Sequence, residues 1–114
     1  MGALTKPIAQ YASVTTWAEG LRQQWGGEPL QEEPGKLAAL ETFCDFVGED
    51  PDVIVGRCFR VRQADGERVL SVKWRGHYAD RIKEFRTQQA AANGPRQAAA
   101  VLSFLIHNGI LIQV

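Results

Sequence analysis

Five side chains in the second half of the chain have the types and the spacing to bind phosphate groups: Arg75, Lys83, Arg86, Arg96 and Gln97. The first three fall on one flank of a predicted helix over residues 71–89. The last two stand at the start of a further predicted helix, where unpaired backbone N–H groups favour an anion. These five are the candidate nucleic-acid contacts, and solvated surface is the alternative interpretation.

The helix over residues 71–89 is predicted by its apolar spacing. Trp74, Tyr78, Ile82 and Phe85 recur at intervals of four, four and three residues, which places them on one stripe of an α-helix. Such a stripe is far more typical of a buried core than of a platform for stacked bases. We therefore expect the aromatic rings to pack inward and to hold the basic flank at the surface.

Charge is divided unevenly along a chain whose formal net charge is zero. Residues 28–52 carry eight acids and one base, whereas residues 57–96 carry ten bases and four acids, so the two stretches differ as −7 and +6. A chain divided in this way can present a positive face to a polyanion. It also leaves a second hypothesis open, in which the acidic stretch of one copy of a helical interaction domain binds the basic stretch of another.

Four other segments show helical apolar stripes bounded by glycine or proline: 13–25, 34–47, 51–58 and 95–106. We expect an all-α fold, a compact bundle of about five helices that forms a single domain over residues 13–114. Residues 28–33 are predicted to be an acidic loop. Residues 1–12, broken by Pro7, are predicted to be a flexible leader.

Residues 57–70 fit two structures. Phe59 and Val61 alternate with arginines and Asp65-Gly66 follows, which is typical of a β-hairpin. The same residues fit the end of one helix, a polar turn, and a new helix that begins after Ser71. Because every other segment has a helical period, we prefer the helix-turn-helix interpretation and keep a short hairpin near 59–72 as the alternative.

Known catalytic and metal-binding motifs are missing from the sequence. It has no Gly-rich phosphate loop, no Gly-x-Ser-x-Gly and no His-Glu-x-x-His, so we expect neither catalysis nor a cofactor. Cys44, Cys58, His77 and His107 fit no zinc spacing, and we expect no metal. A third hypothesis, a small enzyme or regulator, would use Cys58 with its pKa lowered by basic neighbours, together with His77.

No apolar run approaches the ~20 residues of a membrane span, and the first residues lack the apolar core of a signal peptide. We therefore expect a soluble cytoplasmic protein without a membrane partner.

Several short motifs resemble the N-terminal core-binding (SAM-like) domain of tyrosine recombinases, the phage-integrase class. The motifs of the second half are Tyr78…Ile82…Phe85, Gly94-Pro95-Arg96, Val101-Leu102-Ser103-Phe104 and Asn108-Gly109-Ile110. Those of the first half are Leu37…Leu40…Phe43…Phe46-Val47 and Asp50-Pro51. The resemblance covers about residues 35–112.

This resemblance implies SAM-like orthogonal helix packing and a module that clamps duplex DNA during DNA integration and recombination. The family contacts DNA through two helices, which match residues 71–89 and 95–106 and so carry the five candidate side chains. It also implies, as partners, a C-terminal catalytic domain, which this chain lacks, and other recombinase protomers in a prokaryotic or archaeal cytoplasm. The end at Val114 fits a chain that stops at the linker between the two domains.

Overall fold

Helices dominate the part of the chain that the structure, a computed structural model, describes: residues 2–89 and 93–114. The helices are α1 (Ala12–Trp25), α2 (Pro29–Glu32), α3 (Pro34–Val47), α4 (Pro51–Arg57), α5 (Val72–Gln88) and α6 (Gly94–His107). A single 3₁₀ turn, Ile8–Gln10, precedes them, and the strands β1 (Phe59–Val61) and β2 (Arg68–Leu70) lie between α4 and α5. The prediction of an all-α compact bundle is confirmed.

Local sequence signals explain where the helices begin. Proline stands in the first turn of α2, α3, α4 and α6, where its missing N–H group leaves no hydrogen bond unmade. Asp50 caps α4 by accepting a hydrogen bond from the Val53 N–H, and Ser71 caps α5 in the same way from the Trp74 N–H. The starts of α3 and α6 have no side-chain cap.

The core is built around α6, which packs against α1, α3 and α5. Trp17 of α1 meets Phe104 of α6 edge to face at 5.6 Å, and Phe43 of α3 meets Phe85 of α5 at 5.2 Å. The predicted inner stripe of α5 is buried at Tyr78, Ile82 and Phe85, and Trp74 is half-buried. Rings packed beneath α5 therefore fix which of its flanks faces solvent.

The preferred interpretation of residues 57–70 was wrong, and the hairpin alternative is confirmed. β1 and β2 pair antiparallel, with Phe59 opposite Leu70 and Val61 opposite Arg68. The turn needs a left-handed residue, which Gly66 supplies with φ 70°, and the Asp65 carboxylate holds the Arg62 guanidinium across it at 2.8 Å. The helical period of the neighbouring segments misled the prediction, because the alternation of Phe59 and Val61 with arginines covers only one three-residue strand.

Two segments predicted to be irregular carry structure. Tyr11 lies in the core at 3% exposure, its hydroxyl accepts a hydrogen bond from the Thr5 N–H, and Leu4 and Ile8 pack on the core, so residues 2–11 rest on the bundle rather than extend from it. The predicted acidic loop 28–33 contains the one-turn helix α2. Single side chains that pack on the core, such as Leu4, Ile8 and Tyr11, have no repeated spacing, so no sequence pattern predicts their burial. Met1 and residues 90–92 lie outside the described residues.

The first turn of α1 connects three parts of the chain. The Ser13 N–H and Oγ–H donate to Oδ1 of Asp52 at 2.9 and 2.6 Å, and the Ser13 carbonyl accepts from Nδ2 of Asn108 at 3.1 Å. Partial burial raises the pKa of Asp52, but these donated hydrogen bonds outweigh it and hold that pKa below its usual range. We call Ser13, Asp52 and Asn108 the serine bridge.

Candidate nucleic-acid interface

The end of α5 meets the start of α6 in direct backbone contact. A Cβ atom placed on Gly94 would lie 2.3 Å from the carbonyl oxygen of Arg86 and 3.7 Å from its Cγ atom. Glycine is therefore the residue that lets the two backbones approach so closely. The Arg86 side chain leaves α5 at this contact, and Arg96 follows it two residues into α6.

Three cations lie close to this contact along the two helices: Arg86 itself, Lys83 three residues before it in α5, and Arg96 two residues after Gly94 in α6. We call them the junction patch. All three are exposed, and none forms an ion pair with any described residue. Glu84, the acid next to Lys83 in the chain, pairs instead with Arg81 at 2.7 Å. The positive end of the α6 dipole and the negative end of the α5 dipole meet here, so the positive charge of the patch comes from its side chains.

The acidic stretch neutralises little of the basic stretch. Among the described residues one ion pair joins the two, between the Glu49 carboxylate and the Arg57 guanidinium. The same carboxylate accepts a hydrogen bond from the Tyr78 hydroxyl at 2.7 Å, and Arg57 lies over the Trp74 ring at 5.0 Å. Burial, and then the bond to Glu49, raise the pKa of Tyr78. Arg57 is therefore paired at the edge of the core, and its ion pair with Glu49 does not change the charge of the junction patch.

Arg75, the first of the five predicted contacts, lies apart from the others. Its guanidinium donates a hydrogen bond to the carbonyl of Leu111 at 3.2 Å, at the end of α5 remote from Gly94. At ~1.5 Å per residue it stands about 16 Å from Arg86 along the helix axis. Arg75 borders an open apolar groove of about 680 Å³. We call this the tail groove, and its apolar lining is Val72, Gly76, Ala79, Ile106, Leu111 and Ile112.

Gln97 points to a different neighbour, the start of α3. It lines a cavity of about 370 Å³ between the two helices, which we call the α3–α6 pocket. The other lining residues are Glu33, Gly35, Lys36, Ala39, Arg96, Ala99 and Ala100. Sequence reasoning missed Lys36 because it is the one base of the acidic stretch. The available signal was the likeness of two helix starts, Pro34-Gly-Lys and Gly94-Pro-Arg.

The lowered pKa of Cys58 on which the third hypothesis depends is not found. Cys44 and Cys58 are free and fully buried. Burial raises the pKa of Cys58 to about 11, against an opposing effect of Arg75, and burial together with nearby carboxylates raises that of Cys44 to about 12. Both thiols are therefore protonated near neutral pH, which disfavours a nucleophilic role. Within residues 2–89 and 93–114, no three His, Cys, Asp or Glu side chains cluster as metal ligands, and none of the helices there is both long and apolar enough to cross a bilayer.

Comparison of the chain with models of protein families, with curated proteins and with solved structures finds no match. The resemblance to the core-binding domain of tyrosine recombinases therefore rests on the apolar spacings of this chain alone. The roles of Lys83, Arg86 and Arg96 have to be inferred from their geometry and charge.

Proposed function

We propose that this chain is a DNA-binding module that contacts the backbone of duplex DNA through the junction patch. The observation that carries this proposal is that Lys83, Arg86 and Arg96 are exposed and have no ion-pair partners among the described residues, at adjoining ends of two helices in contact. Cations placed in this way attract phosphate groups. Contacts of this kind position a protein on DNA and carry little sequence information.

The sequence resemblance extends the proposal to a larger assembly. The two helices that form the junction patch, α5 and α6, are those that the resemblance assigns to DNA contact. On this basis the module clamps duplex DNA for a site-specific tyrosine recombinase, with a catalytic domain and further protomers as its partners. Base readout by this surface is limited, because Gln97 lines the α3–α6 pocket.

The test is a titration of fluorescently labelled duplex DNA, followed by anisotropy at several salt concentrations. Each phosphate contact contributes a slope of about −0.9 to log K against log salt, so three contacts predict a slope of about −3. Replacing Lys83, Arg86 and Arg96 together by glutamine should abolish most of that slope and weaken binding at low salt more than tenfold, an order of magnitude set by the lost phosphate contacts.

The matched control replaces Lys6, Arg22 and Arg62 by glutamine, which removes the same charge from other parts of the surface. Binding by the control variant should stay within about twofold of the unmodified chain, because its cations are distant from any phosphate contact. The proposal fails if the unmodified chain shows no binding at high micromolar protein, or if the control loses as much affinity as the junction variant.

A second candidate function, a protein-interaction domain, is favoured by the tail groove. Three large apolar side chains there are unusually exposed: Val72 at 77%, Ile106 at 47% and Leu111 at 69%. Contiguous exposed apolar surface is typical of an interface. Sedimentation velocity over a range of protein and salt concentrations distinguishes the two functions, since self-association that persists at high salt, without DNA binding, would support this one.

A further inference from the structure

We propose that the tail groove binds an amphipathic helix of another protein, one that carries acidic residues beside its apolar row. This inference goes beyond the proposed function, because it concerns a protein partner and requires no DNA. The tail groove lies between α5 and the segment that follows α6. Its walls, its floor and the charges beside it each bear on what occupies it.

Contacts within the chain hold the walls of the groove in place. Gly109 turns the chain away from α6 with φ 86°, and the next residue, Ile110, is fully buried and donates its N–H to the Leu105 carbonyl at 2.9 Å. Arg75 then joins α5 to this segment through its hydrogen bond to the Leu111 carbonyl. A site that is formed before binding loses less conformational entropy when a partner arrives.

The floor of the groove fits a helix. Val72, Gly76 and Ala79 recur at intervals of four and three residues, so they form a second apolar row on α5, about a third of the circumference away from the buried one. Gly76 and Ala79 have little or no side chain, which lets a partner's backbone approach closely, while Val72, Ile106 and Leu111 lie around them and are exposed. At ~1.5 Å per residue the row spans about 10 Å, the length of two turns of a docked helix. Such a helix presents apolar residues at i, i+3 or i+4, and i+7.

The charges beside the groove favour an acidic partner. Arg75 lines the groove, and Lys83 lies one turn beyond Ala79 on the same side of α5. No aspartate or glutamate occurs among residues 85–114, so neither α6 nor the segment after it supplies a compensating acid. Opposite charges across an interface favour association and like charges disfavour it. A second copy that presented the same face would bring cations together, whereas a helix with acidic residues beside its apolar row can pair with both Arg75 and Lys83.

The experiment titrates the full chain into a fluorescently labelled peptide of about 15 residues, the length at which an isolated helix becomes marginally stable in water. The peptide has leucine at i, i+3, i+4 and i+7 and glutamate on both flanks of that row, and a second peptide has glutamine in place of each glutamate. We expect saturable binding of the acidic peptide, about three- to tenfold tighter than that of the neutral peptide. ¹⁵N spectra of the same mixtures should show shifts of the backbone amides of Gly76, Ala79 and Leu111.

A substitution in the floor tests whether the groove is the site. Gly76→Gln should weaken the binding of both peptides about tenfold or more, because the added side chain occupies the space of the partner helix. The chain itself tolerates this side chain, since no atom other than those of its chain neighbours and of its own helix backbone lies within 4 Å of the Cβ position. Gly35→Gln is the matched control, because Gly35 of α3 has equally open surroundings and does not line the tail groove, and it should leave binding unchanged. Thermal melts of each variant check that the fold is retained.

A substitution at the rim tests the charge. Arg75→Gln should weaken binding of the acidic peptide about three- to fivefold and should hardly change that of the neutral peptide. If Arg75 only held the segment after α6 in place, both peptides would be weakened equally, which would contradict the acidic nature of the partner.

The proposal is overturned if the neutral peptide binds as tightly as the acidic one, if Gly76→Gln and Gly35→Gln bind the acidic peptide equally well, or if no binding occurs at submillimolar protein. Sedimentation velocity of the chain alone tests the other occupant. Self-association that Gly76→Gln abolishes would assign the groove to a second copy and would also overturn the proposal. None of the substituted residues belongs to the junction patch and no DNA is present, so failure here is separable from failure of the proposed function.

Discussion

Glu49 shows how a single carboxylate can connect three elements. It follows α3 in the chain, accepts a hydrogen bond from Tyr78 of α5 and pairs with Arg57 of α4, while its side chain stays only 12% exposed. Taking a carboxylate out of water costs free energy unless its oxygens are satisfied. Both oxygens have a donor here, so the loss of either donor should leave a charge that is buried and incompletely compensated.

Replacing Tyr78 by phenylalanine tests this arrangement. A hydrogen bond to a charged group contributes about 1.5–3 kcal/mol, so we expect Tyr78→Phe to lower the free energy of unfolding by about that amount. Urea denaturation at neutral pH measures it. Tyr11→Phe is the matched control, because the Tyr11 hydroxyl bonds neutral groups, the backbone N–H and the hydroxyl of Thr5, and it should cost about 1 kcal/mol or less. A larger loss from Tyr11→Phe than from Tyr78→Phe would contradict the role given to Glu49.

At the scale of elements, the contact between α5 and α6 positions the junction patch. Its closeness depends on Gly94, since any side chain there would meet the backbone of Arg86 rather than a flexible side chain. Gly76, in the middle of α5, offers the opposite case, because no atom other than those of its chain neighbours and of its own helix backbone lies within 4 Å of the position its Cβ would take. The two glycines therefore serve as a matched pair in neighbouring helices.

We expect opposite effects of alanine at these two positions. Gly94→Ala should destabilise the fold by about 1–3 kcal/mol, the usual cost of overpacking, and should also weaken DNA binding by separating Arg86 from Arg96. Gly76→Ala should stabilise the fold by about 0.5–1 kcal/mol, because alanine is the better helix former. Thermal melts followed by circular dichroism measure both changes. Equal destabilisation by the two substitutions would show that the close contact at Gly94 is unimportant.

The elements that sequence could predict are those with a repeated period. The stripe of Tyr78, Ile82 and Phe85 predicted α5 and its buried face, and proline and glycine predicted most helix starts and stops. The hairpin was kept only as the alternative because its strands are three residues long, and α2 was not predicted because it is a single turn. The burial of Tyr11 was not predicted because a single buried ring shows no repeated spacing in the sequence. Local spacing predicts the existence of long elements, whereas short ones are fixed by what they pack against.

The candidate site was predictable only in part, and for the same reason. The positions of Lys83 and Arg86 on one exposed flank follow from the helical period and the buried stripe. Nothing in the local sequence shows that Arg75 reaches the carbonyl of Leu111, 36 residues away. The α3–α6 pocket joins Lys36 to Gln97 through tertiary packing, so neither residue identifies the other in the sequence.

For the molecule as a whole, buried acids of high pKa determine the response to alkali. Burial raises the pKa of Cys58 to about 11 and, with nearby carboxylates, that of Cys44 to about 12, and it raises the pKa of Tyr78 as well. The unfolded chain loses the two thiol protons near the ordinary value of 9.0. The unfolded state therefore binds fewer protons above that pH, and the stabilisation present below pH 9 should be lost as the pH rises toward 11–12.

Urea midpoints measured at about pH 8 and pH 10.5 test this response, since pH 10.5 lies between the ordinary thiol pKa and the raised values. We expect a lower midpoint at the higher pH, and a smaller difference in a variant with both cysteines replaced by alanine. A midpoint that is unchanged at the higher pH, or an equal difference in the cysteine-free variant, would show that the thiols are not responsible.

The serine bridge also constrains the order in which the chain folds. Its hydrogen bonds close loops of 39 and 95 residues, whereas the α5–α6 contact joins neighbouring helices. Closing long loops costs chain entropy before any contact repays it, so we expect the bridge to form after the rate-limiting barrier. In stopped-flow kinetics, Asp52→Asn should then accelerate unfolding and leave the refolding rate nearly unchanged. We therefore expect the α5–α6 pair to form first during folding, and α1 to be the last helix that docks on the bundle.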